Sequence, residues 1–181
     1  MKSYIINTLG PQGTDSFVSA KYWAQSFYPG AKIVLYDTFE KLFTNLHKGE
    51  FIVMPTGYCN RENENLFCWV DFHFKYIKNL EIVDSFILKT KPMVILNNKN
   101  YKYDKAVIQS ATYQLLRQKL KREIEIDFAS SKVAAYEVFV AKKYRYTLCS
   151  KSTIDIEFKK DVEIISEFQP KMVWVVYKCI A

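Results

Sequence analysis

Short apolar runs alternate along the chain with segments whose apolar residues recur at helical spacing. The clearest helix is predicted after Asp37 or Thr38, either of which can cap it. Its apolar positions, at i, i+3, i+4 and i+7, are Phe39, Leu42, Phe43 and Leu46. This alternation of short strands with helices is typical of an α/β protein with mostly parallel sheets.

The remaining elements are predicted by the same patterns. Strands are expected at residues 4–9, 32–36, 51–54, 81–88, 92–96, 106–109, 124–128, 146–149, 162–165 and 172–177. Further helices are expected after Thr14 or Asp15, over 112–121, and over 131–143 after Ser130 or Ser131. The turn-rich segment NNKNYKYDK separates two sets of these units. The sequence therefore predicts two α/β lobes with a cleft between them, lobe one at about 1–96 plus 166–181 and lobe two at about 97–165.

The segment from 60 to 78 begins polar and becomes strongly aromatic. Its aromatic residues include Phe67, Trp69, Phe72, Phe74 and Tyr76. We expect a surface excursion that returns to the core. If this segment is a strand, Asp71 and His73 lie on one face, although a histidine among aromatic residues is typically structural. The aromatic stretch is also open to a role in binding a partner.

Hydroxyl-bearing residues and one lysine follow several of the predicted strands. Helix starts at such positions present backbone N–H groups and the positive end of the helix dipole, which attract carboxylates and phosphates. The candidate ligand-binding residues are Thr14, Ser16, Thr56, Gly57, Ser110, Ser131 and Lys132. Helix capping alone also explains serine and threonine at these positions, and a solvated lysine is common.

Charge narrows the choice of partner. The chain of 181 residues carries 26 Lys+Arg against 19 Asp+Glu, a net charge of +7, which favours an anionic partner. The basic residues are scattered singly or in pairs rather than in the stripe typical of nucleic-acid binding. We therefore predict a small anionic ligand and no nucleic acid.

The sequence shows no features typical of membrane-spanning proteins, disulfide-rich proteins, metal sites or nucleotide-cofactor sites. No apolar run approaches the roughly 20 residues that span a bilayer, so we expect a cytoplasmic protein that does not bind membranes. The cysteines are Cys59, Cys68, Cys149 and Cys179. They form no CxxC pair and predict free thiols rather than a disulfide framework or a zinc site. Motifs for nucleotide cofactors and zinc proteases are missing, so we predict no cofactor and no metal.

The segment INTLGPQGTDS at residues 6–16 resembles the opening GPxGT stretch of the prephenate dehydratase catalytic domain. LYDTFEKL, FIVMPTGY, SSKVAA and ISEFQPKMVW also occur in the order of that family, although only the GPQGT stretch is specific. The likeness spans nearly the whole chain and is strongest to the bacilysin-pathway prephenate decarboxylase type. It implies a fold similar to type 2 periplasmic binding proteins, a dicarboxylate ligand and a possible homodimer.

Two departures from the dehydratase pattern bear on the activity. A Thr-Arg-Phe motif near the end of dehydratases corresponds here to Met172, Val173 and Trp174, which lack the hydroxyl and the guanidinium. The VPxENS stretch of dehydratases reads MPTGYC at residues 54–59, without the carboxylate and the amide.

The resemblance therefore implies a lyase acting on prephenate or a similar cyclic dicarboxylate, in aromatic amino acid or antibiotic-type metabolism. A non-aromatising decarboxylase is expected rather than a dehydratase, and no catalytic residue is assigned. The alternative is a non-catalytic module that binds small carboxylates and has lost the chemistry. The resemblance covers the catalytic domain, and we expect no ACT domain.

Overall fold

The computed structural model describes residues 4–62, 65–154 and 161–181. In chain order the elements are β1 (Ile5–Leu9), α1 (Asp15–Phe27), β2 (Lys32–Tyr36), α2 (Phe39–Thr44), β3 (Phe51–Pro55), β4 (Cys59–Glu62), β5 (Asn65–Cys68), α3 (Trp69–Tyr76), β6 (Leu80–Lys89), β7 (Met93–Asn98), β8 (Lys105–Gln109), α4 (Tyr113–Leu120), β9 (Glu125–Ala129), α5 (Lys132–Ala141), β10 (Tyr146–Ser150), β11 (Val162–Phe168) and β12 (Lys171–Cys179). Short 3-10 turns at Ser110–Thr112 and Lys151–Thr153 follow β8 and β10.

The chain forms two compact units. Unit 1 consists of Met1–Cys59, Leu66–Lys89 and Lys171–Ala181, and unit 2 consists of Asn60–Asn65 and Thr90–Pro170. Each unit is built on a five-stranded sheet. The predicted α/β class is therefore confirmed.

Unit 1 has the strand order β2-β1-β3-β12-β6. Strands β1, β2 and β3 are parallel, and β12 is antiparallel to both of its neighbours, β3 and β6. Trp23 of α1 packs in a core cluster with Trp174 and Val176, whereas Leu42 of α2 packs in a second cluster with Tyr177.

Unit 2 has the strand order β11-β7-β10-β8-β9. Strands β10, β8 and β9 are parallel, whereas β7 is antiparallel to both β10 and β11. Leu116 of α4 lies in one core cluster and Phe139 of α5 in another. As in unit 1, a parallel group of three strands is completed by antiparallel strands.

The predicted lobe boundaries need correction. The prediction placed residues 92–96 in lobe one and began lobe two at 97. In the structure β7 pairs with β10 and β11, so unit 2 begins at Thr90 and ends at Pro170 rather than at 165. The physical reason is that antiparallel pairing with strands distant in sequence places β7 and β11 in unit 2. A local hydrophobic pattern does not encode such pairing.

The aromatic part of the segment expected to be a surface excursion forms a helix, so the strand geometry considered for Asp71 and His73 does not apply. Residues 69–76 form the helix α3, in which Phe72 is completely buried. The carboxylate of Asp71 fixes the start of this helix by accepting the Cys68 N–H at 2.9 Å. His73 is structural, since its Nδ1 lies 3.1 Å from the hydroxyl of Tyr177.

For three helices the sequence offered two candidate cap residues each, and the structure decides between them. The side-chain oxygens of Thr14, Thr38 and Ser131 accept hydrogen bonds from the backbone N–H groups of Phe17, Lys41 and Ala134. Within the described part of the chain, no helix combines the length and apolarity needed to cross a membrane.

The position of α3 gives a direct test of the fold. Phe72→Ala is expected to reduce the free energy of unfolding by about 3–5 kcal/mol, because it empties a fully buried site. Phe74→Ala is the matched control on the same helix, where the ring is 68% exposed, and should change stability by less than about 0.5 kcal/mol. Urea denaturation of both variants measures the difference. Equal losses would contradict the helical assignment.

Candidate anion-binding site

The carboxyl ends of β8, β9 and β10 lie at one edge of the unit 2 sheet, because these three strands are parallel. Ser110 follows β8 directly, and Ser131 with Lys132 follows β9. The structure therefore brings three of the seven predicted residues to one edge, which we call the unit 2 edge. It also adds Ser150, the last residue of β10, which the prediction left out of this set.

Ser131 has a structural role at this edge. Its Oγ accepts the Ala134 N–H at 3.0 Å, and its carbonyl accepts the Ala135 N–H at 2.9 Å. This arrangement is the standard cap of a helix N-terminus. The Ser131 hydroxyl still has a proton to donate, so capping and ligand contact are chemically compatible.

Lys132 occupies the first position of α5, where a positive charge opposes the helix dipole. Its charge acts on the buried Cys149 near the end of β10 and favours the thiolate. Burial has the larger effect and raises the pKa of Cys149 to about 12, so this thiol stays protonated at neutral pH. Cys149 is therefore unsuited to act as a nucleophile.

The other four predicted residues lie at the corresponding edge of unit 1, where β1, β2 and β3 end. Thr14 caps α1, and Ser16 is buried in the first turn of that helix. Thr56 and Gly57 follow β3. We call this group the unit 1 edge.

The two threonines at the unit 1 edge form hydrogen bonds with backbone groups. The Thr14 hydroxyl donates to the carbonyl of Leu9 at 3.4 Å while it accepts the Phe17 N–H at 3.3 Å. The Thr56 hydroxyl donates to the carbonyl of Val173 at 3.2 Å, and the Thr56 N–H donates to the same oxygen at 3.0 Å. Their role in ligand binding stays a prediction.

Gly57 makes close contact with a side chain of β12. A Cβ added at Gly57 would lie 2.8 Å from Met172 Cε and 3.2 Å from Met172 Sδ, so a larger residue would displace the thioether. Trp174 of the same strand is 2% exposed, and its indole nitrogen has no partner among the described residues. At the unit 1 edge, Met172 therefore covers Gly57, whereas Trp174 lies in the core beside Trp23.

A groove of about 740 Å³ in unit 2 was not predicted from the sequence. It runs along β9 and α5, with Ser130 and Ala134 in its lining together with Asp127 and Tyr144. The Tyr144 hydroxyl donates to the Asp127 carboxylate, which lowers the pKa of Asp127 and raises that of Tyr144. Lys105 also contacts Asp127, at 2.9 Å, and places a positive charge beside this carboxylate.

Metal ligation finds little support. In the described residues no three or more His, Cys, Asp or Glu side chains cluster in a way that could hold a metal ion. The acidic pair Glu125 and Asp127 is occupied by Lys105, which raises the pKa of that lysine above its ordinary value.

No protein-family model matches the chain, and no curated protein matches its sequence. Solved structures do match. The prephenate dehydratase of Arthrobacter aurescens in complex with L-Phe has a TM-score of 0.55 at 12% identity, and the match covers 98% of this chain and 61% of that one. The prephenate dehydratase of Staphylococcus aureus has a TM-score of 0.55 at 10% identity, with 96% and 65% covered.

An arginine transport periplasmic binding protein of Legionella pneumophila matches with a TM-score of 0.53 at 7% identity, over 98% of this chain and 86% of that one. The chain has the fold of type 2 periplasmic binding proteins. Prephenate dehydratases share this fold, as the resemblance implied. The chain spans somewhat less than two thirds of the length of the two dehydratases, and identities this low establish the fold alone.

The cap at Ser131 can be separated from its predicted ligand contact. Ser131→Ala should cost about 1 kcal/mol of stability because the Ala134 N–H loses its acceptor. Ser131→Asp keeps an acceptor at the cap and should remain within about 0.5 kcal/mol of the parent protein. Thermal and urea unfolding measure both. If the aspartate variant loses as much as the alanine variant, Ser131 does not cap α5 through its side chain.

Proposed function

We propose that the protein binds a small carboxylate at the unit 2 edge and acts as a lyase on prephenate or a similar cyclic dicarboxylate. The observation that carries the proposal is the gathering of Ser110, Ser131 and Lys132 at the carboxyl ends of two adjacent parallel strands, β8 and β9. Ligands of open α/β sheets bind at such edges. The excess of positive charge in the chain favours the same class of ligand.

The chemistry of the unit 2 edge suits a carboxylate. The first-turn N–H groups of α5 point toward its N-terminus, where the helix dipole is positive. Lys132 adds a formal charge at the same turn, and a bound anion would offset its unfavourable interaction with the dipole. Serine hydroxyls add neutral donors that orient the ligand.

Two of the structural neighbours are consistent with this ligand class. One dehydratase structure contains L-Phe, and another neighbour is named for arginine transport. Both molecules carry an α-carboxylate. This support concerns the class of ligand and is independent of any catalytic step.

A decarboxylase is favoured over a dehydratase by the residues that correspond to the Thr-Arg-Phe motif of dehydratases, which lack its polar groups. Loss of a hydroxyl requires a group that stabilises or protonates the departing oxygen. Met172, Val173 and Trp174 supply neither a hydroxyl nor a guanidinium. Loss of carbon dioxide removes a charge and is favoured by apolar surroundings.

The proposed step balances without a cofactor. The bond between the ring carbon and its carboxylate breaks, and carbon dioxide leaves. The electron pair of that bond moves into the ring diene, and a proton from solvent or an acid completes a ring carbon. The ring hydroxyl is kept, so the product is not aromatic.

A non-catalytic carboxylate-binding protein is the second candidate. Among the seven predicted site residues, Lys132 alone carries a formal charge, and a positive charge serves to hold an anion. A binding protein needs no further group. The two candidates differ in turnover and not in affinity.

Turnover and binding are tested together with purified protein and prephenate. We expect release of carbon dioxide, loss of prephenate and a non-aromatic product rather than phenylpyruvate. Lys132→Met should weaken binding roughly ten- to a hundredfold, because one charge-assisted contact is lost. Lys41→Met is the matched control, since Lys41 is an exposed helix residue that pairs with Asp37 in unit 1.

Affinity for prephenate without carbon dioxide release would contradict the lyase and support the binding protein. Formation of phenylpyruvate would contradict the decarboxylase type. No binding of prephenate or other small carboxylates would overturn both candidates.

A further inference from the structure

Two cysteines flank the small hairpin of strands β4 and β5. Cys59 is the first residue of β4, and Cys68 is the last residue of β5. The strands are equal in length, pair with each other, and are joined by two residues. Counting outward from the connection places Cys59 directly opposite Cys68.

A backbone hydrogen bond fixes the register independently. The Trp69 N–H donates to the Tyr58 carbonyl at 3.1 Å, so residues 58 and 69 are opposite each other in a hydrogen-bonded position. The adjacent pair, Cys59 and Cys68, therefore occupies a non-hydrogen-bonded position. Cα atoms of such pairs are about 4.5 Å apart, with both side chains on one face. Disulfides bridge Cα atoms about 4.4–6.8 Å apart.

The surroundings distinguish these two thiols from the other two. Cys59 and Cys68 are half-buried, whereas Cys149 and Cys179 are buried. Burial raises the pKa of Cys149 to about 12, which suppresses the thiolate that reacts with oxidants. Access and position therefore favour reaction at the hairpin pair.

We propose that Cys59 and Cys68 form a reversible intramolecular disulfide, which makes the base of this hairpin an oxidation site. Neither cysteine is in a disulfide in this structure. The site is separate from the proposed carboxylate function and does not depend on it. The oxidant is a peroxide, and a dithiol reductant reverses the reaction.

The step balances for hydrogen peroxide. The thiolate of one cysteine attacks a peroxide oxygen, the O–O bond breaks, and a sulfenic acid and one water form once protons are taken up. The second thiolate attacks the sulfenic sulfur, the S–S bond forms, and the S–O bond breaks to release a second water. Two thiols are oxidised by two electrons, and one peroxide is reduced to two waters.

The disulfide changes the start of α3. The Cys68 thiol donates to Asp71 Oδ2 at 3.0 Å, and this bond is the largest cause of the lowered pKa of Asp71. Oxidation removes the S–H donor and leaves the Cys68 N–H bond to the same oxygen. It also ties α3 covalently to the segment that follows Thr56 and Gly57 at the unit 1 edge.

Peptide mapping tests the proposal. The reduced protein is treated with hydrogen peroxide, alkylated with N-ethylmaleimide, and digested with trypsin. Cleavage after Arg61 separates the two cysteines, so a disulfide would join peptides 49–61 and 62–75. We expect this linked pair, with a loss of about 2 Da from the intact monomer that dithiothreitol restores. Cys149 and Cys179 should stay reduced.

Two variants keep the test specific. Cys68→Ser retains a donor for Asp71 and should fold normally, yet it should show neither the linked peptides nor the mass loss. Cys59→Ser should behave in the same way. Full alkylation of both cysteines after peroxide treatment would overturn the proposal, as would disulfides that join two chains.

Discussion

The architecture of unit 1 depends on the pairing of β12 with both β3 and β6. This strand, formed by residues near the end of the chain, lies inside the sheet and is antiparallel to each neighbour. In the described part of the chain, β6 pairs with β12 alone in this sheet, so the backbone of β6 joins the sheet only through β12. Trp174 and Val176 fill the core on the side of α1, and Tyr177 fills it on the side of α2 and α3.

Local features of unit 1 depend on this one strand. The Tyr177 hydroxyl accepts the indole N–H of Trp69 at 3.0 Å and lies 3.1 Å from His73, so β12 positions α3. The carbonyl of Val173 binds Thr56, and the thioether of Met172 covers Gly57. The hairpin that carries Cys59 lies between Gly57 and α3 along the chain. Contacts with β12 therefore hold the chain both before and after this hairpin.

Local patterns predicted much of the fold. Thr14, Thr38 and Ser131 cap helices as expected, since a cap depends on residues three positions apart. The helix α3 was missed because its alternating aromatic residues imitate a strand, while the Asp71 cap is visible only once the backbone is folded. The lobe boundary was misplaced because β7 and β11 are assigned by pairing across the sheet.

The candidate site was predictable to a similar extent. Strand ends could be read from the sequence, and the parallel order of β8, β9 and β10 then brought Ser110, Ser131 and Lys132 to one edge. The hydrogen bond donated by the Thr56 hydroxyl could not be predicted from the sequence, because its acceptor is a carbonyl 117 residues away. The opposition of Cys59 and Cys68 follows from hairpin register, which required the positions of both strands.

The central claim is that the unit 2 edge binds a small carboxylate, and amide NMR with added prephenate tests it most directly. The account predicts that the largest shift changes occur at Ser110, Ser131 and Lys132, with saturation. Changes confined to other parts of unit 2, such as the groove beside Tyr144, would contradict it, as would a spectrum that does not change.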